Sequence, residues 1–407
     1  MNRNHWINLS LFFASIVFAL LVGEVLVRVI HRELVTPDAI LLHRPNPGVG
    51  EWDARGFRNK EAMDQADIVT LGDSLTEGFN AKMDDAWPQA LGEFSSQKVY
   101  NMGVGGYGPV QEAVLTDEAI TLKPKLVIVG SYLGNDFFDA LNVAYSLDYW
   151  ESLRDEKYDT SSGIAVPTLP TEAAEAKGQI ESGLSPKSFA YASYKIRLLL
   201  RNNSKLYKLL GDATRSWRER TGIVSPDSTK WKNIENFALE NPDIAFLYQS
   251  VPEIRTVLGI AYRAEQVNLH NVQTAEGWRI TKGRYREIHR KLEESGTPLV
   301  VVIIPTKEYI YFAHMRQKGE KLSPAMEKLY SDEQETIKEV ERFLEQEHIL
   351  SVDVSNALVE ALGNGQKVFE ETTESHPRGE GYRVMAESIS RYLEKQGMAS
   401  SFSNGGI

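Results

Sequence analysis

The 407-residue chain contains no cysteine. That absence excludes a disulfide framework, a thiolate metal site, a cysteine nucleophile and a lipid-modified cysteine anchor. Either side of a membrane remains open to such a chain. An excess of positive charge is also missing: 45 Lys and Arg stand against 56 Asp and Glu, a net charge of -11. With no basic stretch interleaved with aromatics, nucleic-acid binding by the whole chain is excluded. There is no Gly-x-Ser-x-Gly elbow, no His-Glu-x-x-His helix and no phosphate-binding loop. What remains is ordinary for a globular protein, at 42% hydrophobic and 25% charged residues, with room for one large or two ordinary domains.

The first 32 residues read as an N-terminal transmembrane signal anchor. Residues 7–27 are mostly Leu, Phe, Ile, Val and Ala, and as a helix they would span roughly 30 Å, the thickness of a bilayer core. Trp6 suits the interface, and Glu24 sits near one end. A cleaved signal peptide is the competing reading; the run is long for one, and no small-x-small cleavage site follows it. The flanking charges, Arg3 against Arg28 and Arg32, do not set an orientation. A short tail inside and a long exported domain is the simplest topology, placing the domain outside the cytoplasm. Residues 33–66, with Pro45, Pro47, Gly48 and Gly50 as turn formers, read as a linker or arm.

From residue 67 strands alternate with helices, the pattern of a parallel α/β sheet. Strands are expected at 68–71, 98–102, 125–132, 298–304 and 349–354, and helices at 84–94, 109–122, 282–295, 323–347 and 379–396. Residues 140–277 break the alternation and read as a mostly helical insertion, rich in aromatics, in which helix is expected at 188–210. Residues 399–407 are expected to form a flexible tail.

Chemistry concentrates at the strand ends. The first strand breaks at Gly72, and Asp73 and Ser74 follow. The second runs into Gly103-Val104-Gly105-Gly106-Tyr107-Gly108, and the third into Gly134-Asn135-Asp136. In a parallel sheet these ends share one edge, where open α/β sheets bind ligands. The plain alternative is that Asp73 or Ser74 only caps a helix. His376 precedes the last helix. A serine hydroxyl is a poor nucleophile until a base removes its proton, and histidine has a suitable pKa. Backbone N–H groups and an asparagine amide can stabilise the oxyanion that forms.

These blocks resemble the SGNH or GDSL hydrolases. Gly72-Asp73-Ser74-Leu75-Thr76-Glu77-Gly78 is similar to the family's nucleophile block, and Asn101 to Gly108 to its second. Gly134-Asn135-Asp136 resembles the third, and His376-Pro377-Arg378-Gly379-Glu380-Gly381-Tyr382 the histidine block. The resemblance covers most of residues 67–398 outside the insertion. It implies a flavodoxin-like three-layer α/β/α fold and ester hydrolysis or acyl transfer without a metal or cofactor. It implies Ser74 as nucleophile, His376 as base, and an oxyanion hole made by Ser74, Gly106 and Asn135.

One departure stands out. The family's aspartate two or three residues before the histidine is absent: Thr373 and Glu374 occupy those places. Glu374 is the first choice for the catalytic acid. Glu371 is a second, and a Ser–His dyad oriented by a backbone carbonyl is a third. Asp73 and Asp136 read as structural partners of their loops, and Asp353 as a further residue with a structural default. The expected function is a membrane-anchored serine esterase acting on an acyl group of an envelope glycan or lipid. The alternatives are an O-acyltransferase for an exopolysaccharide or envelope glycan, and an inactive membrane-tethered scaffold.

Overall fold

In the computed structural model the apolar run at the start of the chain forms one helix, α1 (Arg3–Ile30). The structure describes residues 3–30, 34–158, 204–207, 210, 234–250, 254–370 and 375–398. Not every side chain of α1 is among those described, and among the described residues no helix is long and apolar enough to cross a membrane. The chain divides into two units, Met1–Leu34 with Glu172–Ile234, and Val35–Thr171 with Glu235–Ile407. In the first unit Glu24 of α1 accepts hydrogen bonds from Ser204 Oγ (2.7 Å) and from Lys205 and Leu206 N (3.0 Å each). Glu24 therefore caps a second segment of the chain, a partner that its place near one end of the run does not suggest. The expected helix at 188–210 lies mostly outside the described residues, and the tail at 399–407 wholly so.

The second unit begins with a hairpin. β1 (Val35–Asp38) and β2 (Leu42–Pro45) pair antiparallel, where the sequence suggests only an extended arm. Asp38 Oδ1 takes the N–H groups of Ile40 and Leu41 at 2.8 Å and so builds the turn. Then comes β3 (Ile68–Gly72), the short helix α2 (Ser74–Glu77), α3 (Trp87–Ser95), β4 (Val99–Asn101), α4 (Pro109–Thr121), β5 (Leu126–Tyr132) and α5 (Asp136–Ser146). The first full helix starts at Trp87, because residues 83–85 form a tight 3₁₀ turn before it.

Within residues 140–277 much lies outside the described residues, including 159–203 and 211–233. The described part is not purely helical: β6 (Phe246–Ser250) and β7 (Ile254–Leu258) form an antiparallel hairpin, followed by α6 (Ile260–Val267). Helix α7 (Val272–Ser295) begins ten residues before the expected start at 282. The misleading signal is Gly277. A side-chain carbon there would sit 1.9 Å from the Phe137 carbonyl, so the glycine marks a close crossing of α5 and α7 rather than a break. The order ends with β8 (Leu299–Ile304), α8 (Lys307–Gln317), α9 (Pro324–Gln346), β9 (Leu350–Asp353), α10 (Ser355–Gly363) and α11 (Gly379–Lys395).

The main sheet is parallel throughout, in the order β4-β3-β5-β8-β9. By position among its own strands that is 2-1-3-4-5, a doubly wound order. Every residue of β3, β4, β5 and β8 is buried, so both faces are covered. This explains their continuous apolar runs. Helices α4, α5 and α7 pack together, and α8, α10, α11 and α3 form a second connected group. The arm protects the β4 edge. Asn59 accepts the Asn101 N–H (3.0 Å) and donates to its carbonyl (2.9 Å), replacing a neighbouring strand. Strand order reverses between β3 and β5, so the crevice at their carboxyl ends is the natural ligand site.

Candidate active site

The turn after β3 sets the first side chain. Asp73 is fully buried and caps α2, its Oδ1 accepting Leu75 N at 2.8 Å. Ser74 is thereby the first residue of α2, and helical N–H groups at that position have no partner within the helix. Ser74 Oγ lies 2.7 Å from His376 Nε2. The histidine turn is tied in place by an isolated bridge between Phe369 and Pro377 and by Arg378 N to Val368 O (2.9 Å). The Phe79 ring lies 4.8 Å from the imidazole. Its backbone carbonyl accepts Tyr382 OH at 3.0 Å.

The loop after β4 passes directly beside the nucleophile. A side-chain carbon on Gly105 would come within 3.7 Å of Ser74 Cβ. Gly105 N donates to Glu77 Oε2 (2.7 Å), whose other oxygen accepts Trp52 Nε1 (3.0 Å). His43 Nε2 lies 3.0 Å from the Gly105 carbonyl. The Gly105 N–H is thus occupied, while Gly106, at φ +77, is exposed and its N–H makes no hydrogen bond among the described residues. The arm, through Trp52 and His43, holds the loop in this arrangement. Arg58 does the same for the segment after α2, donating to Gly78 O (2.7 Å) and Ala81 O (2.8 Å).

Asn135 follows β5. Its Nδ2 donates to Asp73 Oδ2 at 3.4 Å, and its Oδ1 is buried without a partner. Asp73 thus orients the amide as well as capping α2. Asp136 Oδ2 accepts Tyr132 N at 2.9 Å and closes the turn. Asp353 accepts Ser355 N and Oγ (2.8 and 2.5 Å) at the far edge of the sheet. The structure brings together Ser74, His376, the Gly105–Gly106 loop and the Asp73–Asn135 pair. Glu374 and Glu371 lie outside the described residues. No three His, Asp or Glu side chains form a metal-holding group among the described residues.

Beneath the site lies a set of buried acids that the sequence does not announce as a group. Glu112 is fully buried and neither of its carboxyl oxygens is hydrogen-bonded. Burial, and then the charge of Asp73, push its pKa well above the ordinary value. Burial, then Glu112, Asp73 and Asp139, do the same to Asp136. Such a group keeps its proton in the folded chain and loses it in the unfolded chain above about pH 4.3. The folded state then binds more protons, so stability falls as pH rises. Glu112→Gln removes this term. Its thermal midpoint is expected to match wild type near pH 4 and to exceed it increasingly toward pH 8, as scanning calorimetry would read. A constant gap across that range would show that Glu112 does not titrate this way.

The sequence matches no protein-family model and no curated protein. Among solved structures the chain is similar to a protein assigned to the G-D-S-L lipolytic family from Desulfitobacterium hafniense DCB-2, at 13% identity and a TM-score of 0.33, covering 80% of this chain and 98% of that one. It is similar to a GDSL-like lipase from Bacteroides thetaiotaomicron VPI-5482, at 11% identity and a TM-score of 0.32, covering 81% of this chain and 88% of the other. A protein assigned as an acylhydrolase from Bacteroides fragilis NCTC 9343 gives 11% identity and a TM-score of 0.32, over 81% and 86%. Values this low carry no conclusion about chemistry, which rests on the residues themselves.

Proposed function

We propose that the chain is a serine esterase of the SGNH or GDSL type, anchored in a membrane by α1. The observation that carries this reading is the 2.7 Å approach of Ser74 Oγ to His376 Nε2. His376 takes the hydroxyl proton as Oγ attacks the ester carbonyl. The N–H groups of Ser74 and Gly106 and the Asn135 amide stabilise the oxyanion. Collapse of the tetrahedral species breaks the bond to the alcohol, which leaves with the proton held by His376. A water molecule, deprotonated in turn by His376, then releases the acid from the acyl-serine. The anchor reading is supported by the exposure of large apolar side chains along α1, such as Leu11 and Phe12 at 61% and Phe18 at 68%. An exported domain held at a membrane suits an acylated envelope glycan or lipid as substrate.

The test is intact-mass spectrometry of the full-length protein after a serine-reactive fluorophosphonate. A single adduct at Ser74, absent in Ser74→Ala, is expected. No adduct on folded protein would overturn the esterase reading and favour an inactive scaffold. Adding sugars to the acylated enzyme then asks whether the acyl group goes to water or to a hydroxyl, which separates esterase from O-acyltransferase.

A further inference from the structure

Arg263 is a charged residue placed where none of the catalytic groups calls for one. It sits on α6, in the middle region that lies outside the resemblance to known hydrolases, and is 3% exposed. Its guanidinium donates to Gly134 O through Nη1 (2.8 Å), to Gln266 Oε1 through Nη1 (2.6 Å), to Glu308 Oε2 through Nε (3.2 Å) and to Ser375 Oγ through Nη2 (2.5 Å). It also lies over the rings of Tyr132 (5.5 Å) and Tyr262 (4.9 Å). Glu308 balances the charge and at the same time accepts Gly259 N at 2.8 Å, which fixes the start of α6.

Two of these partners are informative. Gly134 immediately precedes Asn135, and Ser375 immediately precedes His376. The two turns come from different parts of the chain. The first ends a central strand, whereas the second follows an irregular stretch after α10 and has no strand beneath it. The sheet therefore fixes one turn and leaves the other to be held by contacts. A planar guanidinium with donors in a fixed fork can set the distance between two acceptors; a lysine cannot. Burying an ion costs several kcal/mol before its partners compensate, and apolar residues fill such space at least as well. A charge at this point is better explained by placement than by stability.

We propose that Arg263 is a positioning residue that sets the His376 turn against the Asn135 turn, and hence both against Ser74. The proposal rests on the serine esterase reading. It gives the middle region a part in catalysis through α6.

Ser375→Ala tests it, because that change removes the hydroxyl held by Arg263 and leaves the ion with Glu308, Gln266 and Gly134. The full-length protein is treated with the fluorophosphonate, and the maximal inactivation rate and the half-saturating probe concentration are measured separately. A fall of about 10–100-fold in the maximal rate is expected, the scale of a small misplacement of reacting groups. The half-saturating concentration and the thermal midpoint should be unchanged, and Ser375→Thr, which keeps a hydroxyl, should recover most of the rate. A Ser375→Ala protein labelled at the wild-type rate overturns the proposal while leaving the esterase reading intact. So does a loss that Ser375→Thr fails to restore, or one matched by lost thermal stability. If wild type itself takes no label at Ser74, the esterase reading falls and the positioning role with it.

Discussion

Hydrolysis of a p-nitrophenyl ester by His376→Ala is expected to fall about 10⁶-fold in kcat, the scale seen when a serine hydrolase loses its base. Ser74→Ala should fall as far, and the double variant no further, because the two side chains act as one unit through a single 2.7 Å hydrogen bond. Without the imidazole, Ser74 keeps its proton at neutral pH and attacks poorly. The fold should survive. His376 is half-buried, and its turn retains the Phe369–Pro377 bridge and the Arg378 N to Val368 O bond. What is lost besides catalysis is one ring contact with Phe79, itself a half-exposed side chain. Circular dichroism and the thermal midpoint check the fold while the rate is measured. A His376→Ala protein turning over within tenfold of wild type would sink the mechanism.

Asn135→Ala should give a smaller and qualitatively different loss. Removing one oxyanion donor costs about 10²–10³-fold in kcat, or roughly 2.7–4 kcal/mol. Two backbone donors, the N–H groups of Ser74 and Gly106, remain, so the defect is partial. The interaction strengthens as charge develops on the oxygen, so kcat should fall with KM little changed. Asp73 Oδ2 engages the amide at 3.4 Å and leaves it a second N–H for the substrate. Loss of Asn135 also removes one of the groups that offset the burial of Asp73 and lower its pKa. The variant should nevertheless remain folded, since Asp73 keeps its bond to Leu75 N. A kcat within threefold of wild type would remove Asn135 from the oxyanion hole and leave the Ser74–His376 mechanism standing.

The sheet was legible in the sequence because its central strands are covered on both faces. Residues 68–71, 126–132 and 299–304 are unbroken apolar stretches for that reason. The chemistry-bearing turns could be read from their position at those strand ends. Helix α8 was not legible, since Lys307 and Glu308 are as buried as Tyr311 and Phe312, so no polar face marks the period. Gly277 concealed the first half of α7 by mimicking a helix break where it serves a close crossing. Arg263 had no signal: its helix also carries Glu265 and Gln266, and nothing in the local pattern separates a buried ion from a solvated one. Trp52, His43 and Arg58 were equally silent, since an arm of turns and polar residues gives no hint of which loops it will brace.

The bond between Ser74 and His376 joins residues 302 positions apart. At ribosomal speeds of about 5–20 residues per second, the nucleophile emerges about 15–60 s before its base. Throughout that interval Ser74 is an unactivated hydroxyl, whatever the state of the sheet around it. Contacts of such sequence separation also form late, because the loop they close carries a large entropic cost. Arg263 extends the same dependence, since its bonds to Gly134 and Ser375 span 129 and 112 positions. Reactivity toward esters is therefore acquired at the final step of assembly, when the carboxy-terminal helix docks, and a partly synthesised chain is chemically silent.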